Sequence, residues 1–456
     1  METNPDDDIT SSQPYTRIPR LTGTAWGRLI YRILTCGDRP TEALHPSVYT
    51  QLRDNYGRIV RVPVPIRPDY IVLSDPELVE RVLETESDRY EKYDQQVQEL
   101  TRIFGQGLVT SDGSRWRRHK RVLSPMFTAQ RVEDFDGLVS RVSARVLSDV
   151  EDKNHPVDIT DVTLELVLEI LGKAIFGSQF STIREEVIEG LSLIGQAFPR
   201  VASEIPTPTW IPAKHHRQLS KGEARLDDAM ERVVASSQNN DDGPTRFLDS
   251  LVANPELSQQ EVQDELKTLL IAGLVTRTAL TWVMYLLARH PSIQAELAAE
   301  LQEAEAISFA SVTTDEGSTL LERVIRESLR LCPPLPPAVR TPTSTVELGG
   351  YIVPPGVRLV LTQVQIHRDP VHWDAPLAFR PSRFMDGWRE SRPAYSYYPF
   401  GGGKRKCIGR RFAYVILQGV LRHCFENYEL VDAADVPTEQ LTPAHPTGLE
   451  LEVMSR

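Results

Sequence analysis

Cysteine is scarce in this chain: four in 456 residues, at Cys36, Cys332, Cys407 and Cys424, widely separated and never as C-x-x-C. That excludes a disulfide framework and a zinc module, and it suits a reducing compartment, so a cytoplasmic location is expected. An excess of positive charge is also missing. The net charge of −12 offers no overall field to recruit phosphate, which argues against a nucleic-acid partner. There is no internal repeat and no low-complexity tract. The first twenty residues, METNPDDDITSSQPYTRIPR, lack the apolar core of a signal peptide. They are expected to form a flexible polar segment ahead of a single domain spanning 21–456. A membrane anchor would need about 20 consecutive apolar residues. The nearest approach, Thr268 to Ala288, carries Arg277 at its centre, at a cost of roughly 2.5–3.5 kcal/mol in a bilayer. It reads as the core helix of a soluble, monomeric protein without an anchor.

The composition is that of a globular protein, 40% hydrophobic and 25% charged, with mean hydropathy −0.30. Alternating β-branched residues predict strands within 57–75. A stripe from Val132 through Phe135, Leu138, Val139, Val142 and Val146 to Val150 predicts a helix. Ser258-x-x-Glu261 is a capping box that starts a helix running towards His290 and stopped by Pro291. A polar loop is expected at 236–245. A further helix ends near Leu331, before Pro333-Pro334. In Val346–Leu361, Gly349-Gly350 turns a hairpin and Pro354-Pro355-Gly356 leads into another strand. The fold class is therefore mostly α with minor β.

The most informative stretch is Phe400-Gly-Gly-Gly-Lys-Arg-Lys-Cys407-Ile-Gly409. A helical pattern follows it, so Cys407 sits just before a helix N-terminus, where free N–H groups favour a thiolate. The glycines let backbone approach a flat ligand, and Arg405 is placed to pair with a carboxylate on it. A cysteine thiolate as axial haem ligand has this logic, with the propionates as the anionic partners. The loop carries neither G-x-x-x-x-G-K-[ST] nor G-x-G-x-x-G.

On these residues the chain resembles the cytochrome P450 haem-thiolate monooxygenases. Their F-x-x-G-x-R-x-C-x-G signature is met at Phe400, Gly403, Arg405, Cys407 and Gly409. The resemblance implies haem b held between a long central helix and the cysteine loop, with Cys407 as the metal ligand. Glu327-Ser-Leu-Arg330 resembles the family's E-x-x-R pair, and Arg383 its third partner in a buried salt-bridge triad. Read alone, that pair is an exposed helical i,i+3 contact. Trp116 resembles the tryptophan of W-x-x-x-R, with Lys120 at the last position; lysine keeps the charge but not the fork. Arg340 falls where another propionate partner is expected.

The central helix reads Ala272-Gly273-Leu274-Val275-Thr276-Arg277 where the family usually shows [AG]-G-x-[DE]-T-[ST]. The resemblance implies that Ala272 and Gly273 open a groove for dioxygen and that Thr276 organises its hydrogen bonds. The acid that helps relay protons is replaced by Val275. Three readings stay open: protons arrive through Thr276 and water, the enzyme is a peroxygenase or isomerase that does not need the relay, or coupling is poor. Arg277 reads either as a partner for a core carboxylate or as a clamp for an anionic substrate. Electrons are expected from a separate ferredoxin or flavoprotein reductase, attracted by basic residues at 115–121 and 404–411. The pocket is expected around Phe104–Val109, Ile194–Ile211, Leu269–Thr276 and Val339, and its apolar lining suits a hydrophobic small molecule, in secondary metabolism for instance. Outside enzymes, the alternative is a haem-binding sensor.

Overall fold

The computed structural model describes residues 13–23, 46–63, 69–151, 155–201, 213–237, 246–303, 319–335, 337–432 and 448–456. Helices dominate, and strands are confined to three small sheets. The helices that position the site are α1 (Asp94–Phe104), α2 (Gly113–Leu123), α3 (Asp136–Glu151), α4 (Ile159–Phe176), α5 (Gln259–Ala288), α6 (Leu320–Leu331) and α7 (Arg410–Asn427).

The central helix is α5. Its start is set by the capping box: Glu261 N–H donates to Ser258 Oγ at 3.3 Å, and Ser258 N–H donates to Glu261 Oε2 at 3.0 Å. It is the one helix among the described residues long and apolar enough to cross a membrane. Its last ten residues, Ala279 to Ala288, are all buried inside the protein. α4 lies alongside, and a Cβ on Gly273 would run into Leu171 of α4. Thr163 and Thr281 share a buried hydrogen bond of 2.6 Å across the same seam.

Arg277 belongs to this seam as well. Its Nε donates to the Thr160 carbonyl at 3.2 Å. Burial lowers its pKa, and the charges of Asp161 and Asp158 oppose that. The guanidinium is thus a strut between α5 and the start of α4, held by a backbone carbonyl and by the charges of two carboxylates nearer the surface.

The helix expected from Val132 is interrupted. Ala129–Glu133 forms one turn and α3 restarts at Asp136, while Val132, Val139, Val142, Val146 and Val150 all remain buried. The first sheet joins β1 (Gln13–Pro14), β7 (Val346–Leu348) and β8 (Tyr351–Val353), with β8 central. Gly349 and Gly350, at φ 59° and 82°, turn the β7–β8 hairpin. The segment expected to be flexible through residue 20 is tied down from Gln13 onwards. β1 runs parallel to β8, Ile18 is buried, and Arg20 bridges Arg61. The apolar Ile18 and the unpaired edge of β8 supply the reason, which the polar composition of the segment conceals.

The second sheet is ordered β2 (Ile59–Val62), β3 (Tyr70–Leu73), β9 (Arg358–Leu361), β6 (Ala338–Pro342), β4 (Tyr90–Lys92). The strand after Pro354-Pro355-Gly356 therefore leaves the hairpin's sheet and pairs with β3 and β6. The third sheet is β10 (Tyr428–Asp432), β11 (Glu450–Ser455) and β5 (Val157–Asp158). Residues 1–12, the loop at 238–245 and the part of the expected pocket at 202–211 lie outside the described residues.

Candidate functional site

The cysteine loop is closed by its own backbone. Cys407 N–H donates to the Phe400 carbonyl at 2.9 Å, and the Phe400 ring lies 5.5 Å from that of Tyr414 on α7. Gly403 has φ +60°, and a Cβ there would collide with the Leu83 carbonyl. Gly409 caps α7 at φ −82°, and its Cβ would meet only Phe127, at 3.8 Å. Gly403 is therefore required by the protein itself, whereas Gly409 is open on the protein side. Gly403→Ala is expected to cost more than about 1 kcal/mol from the positive φ alone, plus the clash, and Gly409→Ala far less. Urea midpoints of the two variants check the contrast.

The Cys407 side chain is exposed, yet burial pushes its thiol pKa up, against the Gly409 and Arg410 N–H groups and the Arg410 charge. The sulfur is thus both accessible and desolvated. The helix N-terminus does not by itself make the thiolate, as its sequence position had suggested; burial outweighs it. A metal cation on the sulfur would reverse the balance and deprotonate it. Among the described residues no group of three or more His, Cys, Asp or Glu could hold a metal ion. A lone thiol fits a metal whose other ligands come with an organic ring.

Beside the loop the sheet brings cations together. Lys92 on β4 stands directly opposite Arg340 on β6, a like-charge cross-strand pair that is unfavourable on its own. Lys92 Nζ donates to the carbonyls of Val109 (2.6 Å) and Ser111 (3.0 Å), and Arg340 to that of Val339 (2.9 Å). Neither touches a carboxylate among the described residues. Burial, then the charges of Arg405 and Arg340, depress Lys92 to about 7. Arg405 stacks over Trp116 at 4.5 Å, pairs with Asp112 and donates to the Ser111 carbonyl at 3.3 Å. Three crowded, half-buried cations beside a flat indole make a cradle for a bidentate anion.

Lys120 is not part of it. Its ammonium donates to the Lys404 carbonyl at 2.6 Å and lies 4.9 Å over Trp116, so it clamps the cysteine loop from α2. Lys92 holds the place expected for Lys120. Sequence reading missed it because only strand pairing brings residue 92 to residue 340.

A depressed lysine binds fewer protons folded than unfolded between its folded pKa and its normal one. Lys92 therefore opposes folding below about pH 7, and this penalty fades as pH rises to about 10.4. Lys92→Met is expected to remove that pH dependence and to speed loss of a bound anionic ring several-fold. Urea titrations across pH and haem transfer to apomyoglobin measure the two effects.

The facing wall comes from α5. Ala272 is exposed in mid-helix, with Leu269, Ile271, Leu274 and Val275 partly so, and Thr276 is buried one turn on. Gly273 does not contribute to the groove, because its bare face is filled by Leu171 and serves the approach of α4. The loop between α1 and α2 covers this side: Gln106 N–H donates to Asp264 Oδ2 at 2.8 Å.

The sequence model described as Cytochrome P450 matches residues 30–450. The chain belongs to the cytochrome P450 family. Relatives include cyclooctatin synthase of Streptomyces melanosporofaciens, 30% identical over 88% of each chain. Another is the Arabidopsis thaliana protein LUTEIN DEFICIENT 5, chloroplastic, 29% identical over 98% of this chain and 78% of that protein. The rat 25-hydroxyvitamin D-1 alpha hydroxylase, mitochondrial, is 26% identical over 82% and 81%. The crystal structure of a cytochrome P450DA heme domain superposes with TM-score 0.79 at 22% identity, covering 96% and 97% of the two chains.

This P450 is a haem-thiolate monooxygenase whose cofactor is haem b. The residues present fit that group. Cys407 offers an accessible, desolvated thiol, Ala272 is bare on α5, and Lys92 and Arg340, without a carboxylate partner among the described residues, would receive propionates, with Arg405 and Trp116 beside them.

Behind the cysteine loop the P450 is braced by α6. Arg330 Nε and Nη2 donate to Glu327 at 2.7 and 2.9 Å, and Arg330 Nη1 donates to the carbonyls of His367 and Pro376 at 2.8 and 2.7 Å. Arg383 Nε reaches Glu327 Oε1 at 3.2 Å, where the Arg380 N–H also donates at 2.8 Å. Glu327 and Arg330 are fully buried, so the pair is not the exposed contact that i,i+3 spacing alone suggests.

Proposed function

We propose that this P450 hydroxylates or epoxidises a hydrophobic small molecule, in secondary metabolism, with Cys407 on the haem iron. The observation that carries the reading is Cys407 itself. It is a desolvated, accessible thiol with two backbone N–H groups turned to it. Bound haem supplies dioxygen activation and transfer of one oxygen atom. The chain's residues do the rest. Arg340, Lys92 and Arg405 hold the propionates, and the Gly409 and Arg410 N–H groups moderate the sulfur's charge. Thr276 holds a proton near the Ala272 groove, and the partly buried Leu108, Leu269 and Val339 exclude water and admit apolar substrate.

Electrons come from a separate acidic carrier, a ferredoxin or flavoprotein reductase. Arg115, Arg117, Lys406 and Arg411 support this, being exposed and free of ion pairs among the described residues. Neighbouring Arg121 and Lys404 are paired with Glu256 and Asp88. A monomeric protein in a reducing, cytoplasmic setting matches this reading, and the free state of Cys332, Cys407 and Cys424 suits it.

Val275 favours one competing reading, a peroxygenase or isomerase that needs no acid beside Thr276. The test is product formation from a panel of lipophilic compounds, with NADPH plus surrogate carriers or with hydrogen peroxide. Turnover with dioxygen and carriers supports the proposal. Turnover with peroxide alone selects the alternative.

A further inference from the structure

Monooxygenation, RH + O2 + 2 e− + 2 H+ → ROH + H2O, consumes two protons per turnover, and Val275 offers none. Eleven residues before Thr276, α5 carries Glu265. Eleven steps of about 100° bring both to one face, with Thr268 and Ala272 between them. Glu265 and His119 of α2 are fully buried, and His119 Nδ1 is hydrogen-bonded to Glu265 Oε1. His119 Nε2 lies 3.3 Å from Glu261 Oε1. Glu261 is partly exposed and pairs with Arg118, so this line of titratable groups starts at solvent and ends inside the protein.

Its inner end is unfinished. Glu265 Oε2 and Thr268 Oγ1 are both buried and make no hydrogen bond. Both lie against Gly107 of the 105–111 loop: a Cβ there would come within 3.3 Å of the first and 2.5 Å of the second. An unmade buried hydrogen bond costs about 1–3 kcal/mol, and these two side chains stand three residues apart on the α5 face that continues to Ala272. Burial raises Glu265 and Asp264 adds to the rise, while His119 and the Leu108 N–H oppose it. Burial alone would lower His119, but Glu265 and Glu261 outweigh it and raise it. Both groups therefore hold a proton more readily than when free. The nearest cation on α5, Lys267, is engaged by Asp227 and Asp264.

We infer that Glu265, recharged through His119 and Glu261, is the internal proton donor of this enzyme, feeding Thr276 by way of Thr268 and water along the Ala272 face. The inference rests on the dioxygen-dependent reading above. Each proton leaves the Glu265 carboxyl, and the His119 imidazole, protonated from solvent beside Glu261, returns one to the carboxylate. The electrons come from the separate carrier. From Thr268 to Thr276 is two turns, about 12 Å, with the methyl of Ala272 and the flank of Leu269 on that face. Glu265 touches no substrate in this scheme and acts through Thr276.

Glu265→Gln keeps the shape and the contact to His119, and Thr268→Val tests the next step. In both variants, dioxygen-supported product is expected to fall about 10²-fold, with the consumed reducing equivalents appearing as hydrogen peroxide. Peroxide-supported product should fall far less, so the ratio of the two reactions is the readout. Infrared spectroscopy of the parent should show a buried protonated-carboxyl band that shifts in D2O and vanishes in Glu265→Gln. Equal loss in both reactions would reduce Glu265 to a support for the 105–111 loop and overturn the proposal, as would unchanged coupling or a missing band. A parent enzyme that works with peroxide alone would instead remove the dioxygen reading first, and this inference with it.

Discussion

Cys407→Ser is expected to abolish the strongly red-shifted Soret band of the reduced carbon monoxide complex and to take dioxygen-supported turnover below detection. Burial holds the Cys407 thiol above its ordinary pKa, so its thiolate exists by virtue of the metal bond. A serine hydroxyl ionises far less readily and is a harder donor that matches iron poorly. The fold should tolerate the change, because the residue is anchored by its backbone N–H to Phe400 and not by its side chain. The variant should therefore unfold in urea close to the parent when both are haem-free, while losing haem faster. A parent-like Soret band in Cys407→Ser would mean that the iron takes its ligand elsewhere.

Arg330→Ala is expected to be the most damaging substitution outside the haem contacts. Its guanidinium satisfies both Glu327 oxygens and the carbonyls of His367, Pro376 and Ala378, and it sits 5.1 Å over the Trp373 ring. Removing it leaves Glu327 buried with Arg383 and one backbone N–H. Breaking such a pair costs about 3–5 kcal/mol, from a total stability of about 5–15 kcal/mol. Arg330→Lys should not rescue it, since an ammonium cannot reach five acceptors arranged for a planar fork. The yield of haem-loaded protein and the urea midpoint report the loss. A lysine variant as stable as the parent would refute the role given to the fork.

Some of this protein was plain in the sequence because the determinant is local. Ser258 and Glu261 start α5 through a contact three residues long, Gly349-Gly350 turns a hairpin, and the spacing around Cys407 is compact enough to resemble a family. Other features have partners that local pattern does not reveal. Gly273 looked like part of an oxygen groove and is a contact for Leu171. Lys120 looked like a propionate partner and holds the Lys404 carbonyl. Residues 13–20 looked flexible and complete a sheet edge.

The sequence by itself determined the mostly helical class, the cysteine loop and its family, the acid missing at 275 and the E-x-x-R pair. Each depends on residues within a turn or two of one another, whose spacing survives in the linear text. Only the tertiary structure decided that Lys92 faces Arg340 across two strands, that Arg277 braces α4, and that His119 joins Glu261 to Glu265. Those contacts bridge 117 to 248 positions of chain. Charge and burial at such sites are properties of what folding brings near, and no local periodicity encodes them.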